Sequence, residues 1–260
     1  MSALPLLETR NLTRQFGGLR AIGDLSLSVN RGEILGIIGP NGAGKTTLFN
    51  LLTGIYPPSS GGIFFDDRSI AGLRPSEIAR LGMARTFQNI RLFRQLSVLE
   101  NVRIAYDSGL DCSPLEALLR SPRALSRERE SIAASVELLE MFQLGSHAED
   151  RAGDLSYGAQ RRLEIVRALA LKPSLLLLDE PAAGMNPSEA MQLTEFLRWV
   201  HGKFSLTIVL IEHHMQMVMA LSDRIEVIEF GVRIAGGKPE DVKANPRVIE
   251  AYLGTEGELP

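Results

Sequence analysis

Three things are scarce in this sequence. One cysteine, Cys112, stands among 260 residues, so no intramolecular disulfide can form and nothing points to an oxidising compartment. There is no long apolar run: the longest, such as Leu175 to Leu178 and Ile208 to Ile211, fall far below the ~18 residues of a membrane-spanning helix. If the protein works at a membrane, another chain must provide the crossing. There is also no basic excess. With 28 Lys and Arg against 31 Asp and Glu the formal net charge is −3, and a nucleic-acid partner would demand a basic face, so no nucleic acid is expected. The opening residues Met1 to Pro5 lack a basic region followed by a long apolar stretch, and no signal peptide is expected. Internal repeats and low-complexity segments are missing too.

What is present is ample core material, 45% hydrophobic and 23% charged residues, enough for one large domain or two small ones. The informative stretch is Gly39-Pro40-Asn41-Gly42-Ala43-Gly44-Lys45-Thr46-Thr47. It follows an apolar run, Glu33 to Ile38, and leads into Leu48 to Leu52 at helical spacing, which reads as strand, glycine-rich loop, helix. The residues satisfy G-x-x-x-x-G-K-[ST], the phosphate-binding P-loop. Glycines let successive backbone N–H groups turn inward and approach a triphosphate with no Cβ in the way, and the helix beginning near Lys45 adds the positive end of its dipole. Lys45 supplies charge to the β- and γ-phosphates and the Thr46 hydroxyl a ligand for Mg²⁺.

The flanking chain reads as an α/β protein. Leu6 to Leu12 and Leu25 to Val29 alternate like strands, with Gly17-Gly18 and Gly23-Asp24 as turns, an antiparallel entry to the domain. Phe16 offers a flat apolar face suited to a purine ring, or fills the core or turn. Pro57 to Gly62 is a loop, Ile63 to Phe65 a strand, Ser76 to Leu81 a short helix and Ala84 to Gln88 a strand. From about residue 89 to 153 helical patterns take over, including Ala124 to Leu144 with Val136, Leu139 and Phe142 on one face. The α/β core, about residues 1–88 and 154–254, then resumes. Leu175 to Leu178 and Thr207 to Ile211 are buried strands, Asn186 caps a helix with Pro187 at its first position, and Arg224 to Phe230 pairs with Val232 to Ala235 through Gly231. A last helix runs from Pro246 to Leu253, stopping at Gly254, before a tail at 255–260.

Two further features bear on the phosphate loop. Asp179 and Glu180 close the apolar strand, at the carboxyl edge where ligands of open α/β sheets bind. Asp179 is the better candidate to hold Mg²⁺ through water, Glu180 the better base for the water attacking the γ-phosphate. Leu155 to Gln160 precedes a helical run, so Ser156 and Gly158 present a hydroxyl and backbone N–H groups at a helix N-terminus, a second anion site.

With these motifs in this order, the sequence resembles the ATP-binding subunits of ABC transporters from about Leu6 to Gly254. Gly39 to Thr47 matches Walker A, Gln88 the Q-loop, Leu155 to Gln160 the signature, Leu175 to Pro181 Walker B, and Ile211-Glu212-His213 the switch histidine. Phe16 to Leu19, Arg85 to Phe93, Asp179 to Pro187 and Glu250 to Gly254 are most similar to the ATPases of branched-chain amino acid transport. The resemblance implies a P-loop NTPase core with a mainly parallel sheet, an N-terminal antiparallel portion and an inserted helical subdomain. It implies ATP and Mg²⁺ as ligands. Phe16 would stack on adenine, Gly39, Pro40, Asn41, Gly42, Ala43, Gly44, Lys45, Thr46 and Thr47 wrap the phosphates, and Thr46 and Gln88 ligate Mg²⁺. Glu180 would be the base and His213 a contact to the γ-phosphate. Ser156 and Gly158 would close over ATP on a second ATPase subunit, identical or related.

The implied partners are membrane permease subunits, met through Gln88, and indirectly a periplasmic substrate-binding protein; the implied place is the cytoplasmic face of the inner membrane. Tyr157 and Ala159 stand where the superfamily commonly has glycines, Asn186 where many relatives have aspartate, and His214 where an acidic residue is usual. An ATPase of lipid or lipopolysaccharide export is the alternative. A soluble ATPase acting on nucleic acid or ribosomes is less in keeping with the 111 positions from Lys45 to Ser156, since such relatives usually carry two cassettes or a long coiled coil there.

Overall fold

The computed structural model describes residues 4–108 and 122–256; Cys112 lies outside them. The chain divides into two compact units, residues 1–88 with 174–260, and residues 89–173.

The first unit holds two sheets. One has the order β2-β1-β4-β5, made of β1 (Leu7–Phe16), β2 (Leu19–Val29), β4 (Ser60–Phe65) and β5 (Arg68–Ser69), with every neighbour antiparallel. The Gly23-Asp24 pair, expected as a turn, lies inside β2. The chain absorbs it as a register irregularity: Thr9 Oγ1 donates to Leu25 O and accepts from Leu27 N, both at 3.0 Å, and Thr13 Oγ1 accepts from Asp24 N at 3.0 Å. Threonine hydroxyls thus replace the ladder bonds that the bulged backbone gives up.

The second sheet runs β10-β9-β3-β8-β7-β6, from β3 (Ile34–Ile38), β6 (Met83–Arg85), β7 (Leu175–Asp179), β8 (Thr207–Ile211), β9 (Arg224–Glu229) and β10 (Val232–Gly237). All neighbours are parallel except β9 and β10, which form the expected hairpin. Every residue of β3, β7 and β8 is buried, the pattern of a sheet covered on both faces. Truncating one such leucine to alanine costs about 2–5 kcal/mol. The parallel register sets the ends of β6, β7 and β8 side by side, and the loops that leave those ends carry the site.

The second unit is helical. Val98–Ser108, Pro122–Met141 and Tyr157–Leu169 pack around Val102, Leu139, Phe142, Leu163 and Val166. The helix after Ser156 therefore belongs to this unit, whereas periodicity alone had the α/β core resuming near residue 154. Inside it Arg161 and Glu164 form a fully buried ion pair at 2.9 Å. The last helix, Pro246–Glu256, runs past Gly254, where the sequence suggested a stop.

Candidate functional site

The loop after β3 is held tightly. A Cβ on Gly39, at φ 155°, would sit 1.9 Å from Ile228 O, and one on Gly44, at φ 98°, 2.5 Å from Ala21 O. Side chains are excluded at both positions. Gly231 N donates to Ala43 O and Gly23 N to Gly231 O, each at 2.9 Å, which pins the loop to β2 and to the β9–β10 hairpin. The helix that follows, Lys45–Leu52, has no side-chain cap among the described residues; its first N–H groups lack intrahelical acceptors by construction, an arrangement that suits an anion. Gly42 faces open space.

Lys45 is buried, with Nζ donating to Gly39 O at 2.5 Å and Pro40 O at 2.9 Å. Burial pushes its ammonium below the ordinary lysine value, against the upward pull of the Glu180 and Asp179 charges. A phosphate offers this buried cation a charged acceptor in exchange for neutral carbonyls.

Glu180 sits just past β7 in a left-handed conformation, φ 47°, with its N–H bonded to Ile211 O at 2.8 Å. Such backbone persists only where surroundings over-determine it. One carboxylate oxygen accepts from Gln88 Nε2 at 2.6 Å and the other meets His213 Nε2 at 3.0 Å. Three predicted residues, from the ends of β6, β7 and β8, therefore form one contiguous chain.

Asp179 is buried and its Oδ2 accepts from Arg85 Nη2 at 2.7 Å. Arg85 also donates to Asn50 Oδ1 at 2.8 Å and Thr53 Oγ1 at 3.2 Å, tying the strand end to the P-loop helix. Asp179 Oδ1 is buried with no hydrogen-bond partner among the described residues, and the Thr46 side chain is exposed on the first helical turn. A buried orphan acceptor, a hydroxyl and an amide oxygen suit Mg²⁺, which keeps several waters of its own. Among the described residues no group of three or more His, Cys, Asp or Glu forms an all-protein cage. The residues fit the ion.

Phe16 ends β1, 37% exposed, with the Arg14 guanidinium 4.5 Å from its ring centre and Tyr56 edge-on at 5.2 Å. Ser156 and Gly158 lie in the helical unit. Ser156 caps its helix, Oγ accepting from Ala159 N at 3.4 Å, and no described residue stands within 4 Å of a Cβ built on Gly158. Packing among the described residues thus does not require a glycine there. Tyr157 is exposed and bonds Arg161, while Ala159 is buried against the helical unit. Asn186 closes a reciprocal capping box with Glu189, at 3.0 and 2.9 Å.

Three further residues bear on the site. In the sequence Arg85 and Tyr252 stand only as parts of longer matching runs. The Tyr252 phenol is pushed up by burial and pulled back by a hydrogen bond to the Gly39 backbone, so the last helix reaches the P-loop. Glu212 served only as the neighbour of His213; an acid directly after an apolar strand is the signal that singled out Glu180, and it applied here too.

A phosphate loop beside an acid, an amide and a histidine, all at the carboxyl ends of adjacent parallel strands, is the equipment of a nucleotide-hydrolysing P-loop protein. The chain belongs to the ABC transporter family of ATPases: the family model described as ABC transporter matches residues 22–183, and one described as branched-chain amino acid ATP-binding cassette transporter matches residues 232–258. It is 45% identical over 250 residues to the high-affinity branched-chain amino acid transport ATP-binding protein LivG of Salmonella typhimurium, covering 96% of this chain and 98% of the relative. The same identity and coverage hold for BraF of Pseudomonas aeruginosa. Among solved structures, the ADP conformation of an ATP-binding cassette of an ABC transporter superposes with a TM-score of 0.84 at 33% identity, over 97% of this chain and 100% of the other. No described helix is long and apolar enough to cross a membrane.

Proposed function

We propose that this chain is the ATPase subunit of an importer of branched-chain amino acids, working on the cytoplasmic face of the inner membrane with permease subunits, a second ATPase subunit and, indirectly, a periplasmic substrate-binding protein. The observation that carries the reading is end-to-end similarity at 45% identity to proteins named for that transport, with a match to the branched-chain model at the C-terminal residues 232–258. This C-terminal match also favours amino-acid import over lipid export.

In the proposed reaction Gly39 to Thr47 bind the ATP phosphates through backbone N–H groups, with Lys45 on the β- and γ-phosphates. Thr46, Gln88 and, through water, Asp179 would hold Mg²⁺, which when bound would supply charge neutralisation at the phosphates. Glu180 accepts a proton from the attacking water, His213 supports the γ-phosphate, and Gln88, bonded to Glu180, links this site to the permease. Phe16 stacks on adenine. Ser156 and Gly158 close on ATP bound to the second subunit, a role consistent with the open space beside Gly158. Such a site works by positioning and electrostatics more than by covalent chemistry.

The test is uptake of radiolabelled leucine, isoleucine and valine by cells with and without the gene, and by cells carrying Glu180→Gln. Loss of uptake in the deletion strain and in the variant is the expected result. Unchanged uptake of all three in the deletion strain overturns the substrate assignment.

A further inference from the structure

Glu212 is buried at the end of β8, 1% exposed, and both its carboxylate oxygens are committed to backbone. Oε1 accepts from Ala182 N at 2.7 Å; Oε2 accepts from His213 N at 2.8 Å and His214 N at 3.1 Å. The first bond reaches the loop after β7, two residues beyond Glu180. The other two hold the turn that presents His213 and starts the helix Met215–Leu221, whose cap residue His214 has no side-chain cap bond. One charge therefore ties together the two loops whose side chains meet at Glu180 and His213.

We infer that Glu212 is a positioning residue for hydrolysis: its two oxygens set the separation of Glu180 and His213 and so the place of the attacking water. Charge-assisted bonds to backbone N–H groups are short and strong, and three of them on one buried carboxylate leave it little freedom. Glu180 holds a left-handed backbone that needs outside support, and Ala182 lies in the same turn, where Ala183 N returns to Glu180 O at 3.1 Å. Glutamine has nearly the same shape but one acceptor oxygen. Its NH₂ would face N–H donors on one of the two loops, so one tie breaks while volume is kept. Aspartate keeps the charge but is one methylene too short to reach both loops.

The inference rests on reading Glu180 and His213 as the hydrolytic pair, and the experiment keeps the two apart. ATP hydrolysis is measured on the chain assembled with its permease subunits, for wild type, Glu212→Gln, Glu212→Asp, His213→Ala and the double variant Glu212→Gln/His213→Ala. Displacement of reacting groups by about 1 Å can cost on the order of a hundredfold, so kcat is expected to fall by about ten- to a hundredfold in both Glu212 variants. KM for ATP should change less than about twofold, because the P-loop is untouched. In the His213→Ala background the glutamine substitution should cost less than about threefold, since residues acting through one another are not additive. A kcat equal to wild type, an equal cost in both backgrounds, or failure of both single variants to fold each overturns the inference and leaves Glu212 a residue of the scaffold. Absence of hydrolysis in the wild-type complex sinks the ATPase reading instead.

Discussion

Glu180 and His213 meet side chain to side chain, Oε1 to Nε2 at 3.0 Å, though 33 positions apart in the chain. A carboxylate so placed can take the proton of a water it shares with the imidazole. Glu180→Gln keeps size and the contact to His213 but not the basicity. It is expected to retain ATP binding while lowering single-turnover hydrolysis by about 10² to 10⁴, the range of a general base. Steady-state hydrolysis at the wild-type rate would remove Glu180 from the mechanism.

Arg85 and Asp179 form a buried ion pair at 2.7 Å, both side chains under 7% exposed. Removing one partner strands the other in the interior. Arg85→Met is expected to lower stability by about 3–5 kcal/mol, read from the denaturant midpoint. A midpoint equal to wild type would mean that the pair exchanges with water.

Lys45 makes an opposite prediction for the protein without nucleotide. Its folded-state pKa is lowered by burial, so the charged form is penalised on folding. That penalty is fully present at neutral pH and is relieved only as pH rises from the folded value through the unfolded one, about 10.4. Lys45→Met should therefore lack the gain in stability that the wild type shows over that pH range without ATP. It should also lose the ATP-induced stabilisation, about 2.7 kcal/mol at a ligand concentration of 100 times Kd. Thermal melts with and without ATP separate the two effects, and a variant still shifted by ATP would contradict the role given to Lys45.

Tyr252 gives an alkaline signature. Its phenol is raised in the folded state by burial, partly offset by the Gly39 hydrogen bond. The group therefore contributes stability below the unfolded pKa of about 10, and this is lost as pH climbs through the higher folded value. The stability difference between wild type and Tyr252→Phe should shift toward the variant as pH rises above about 10. A difference independent of pH over that window would show that the phenol is not buried.

The proposed pairing with a second ATPase subunit yields one more expectation. If Ser156 and Gly158 complete a site on a second subunit, hydrolysis in the assembled transporter should depend cooperatively on ATP, whereas Ser156→Arg should abolish hydrolysis without weakening ATP binding at this chain's own P-loop. A fully active isolated monomer would contradict the arrangement.

Much of this is decided locally and is legible in the sequence. Gly39 to Thr47 carry their conformation in their composition, because only glycine tolerates the positive φ and the close backbone approach at Gly39 and Gly44. The apolar runs at β3, β7 and β8 declare a covered parallel sheet, and Ser156 and Asn186 cap helices for reasons contained within four residues. What the sequence could not settle is adjacency. Gln88 and Glu180 are 92 positions apart, and Arg85 and Asp179 are 94 apart; they meet because β6, β7 and β8 are neighbours in one sheet, and strand order leaves no trace in local periodicity. The same reason hides the partner of the helix after Ser156, which shows its apolar face but not which unit will cover it. Thr9 and Thr13 absorb the Gly23-Asp24 irregularity from a strand away, so a pair with the chemistry of a turn stays in the strand. Glu212 is the clearest case: its type and place were visible, but its three backbone donors come from two loops that only the folded sheet brings together.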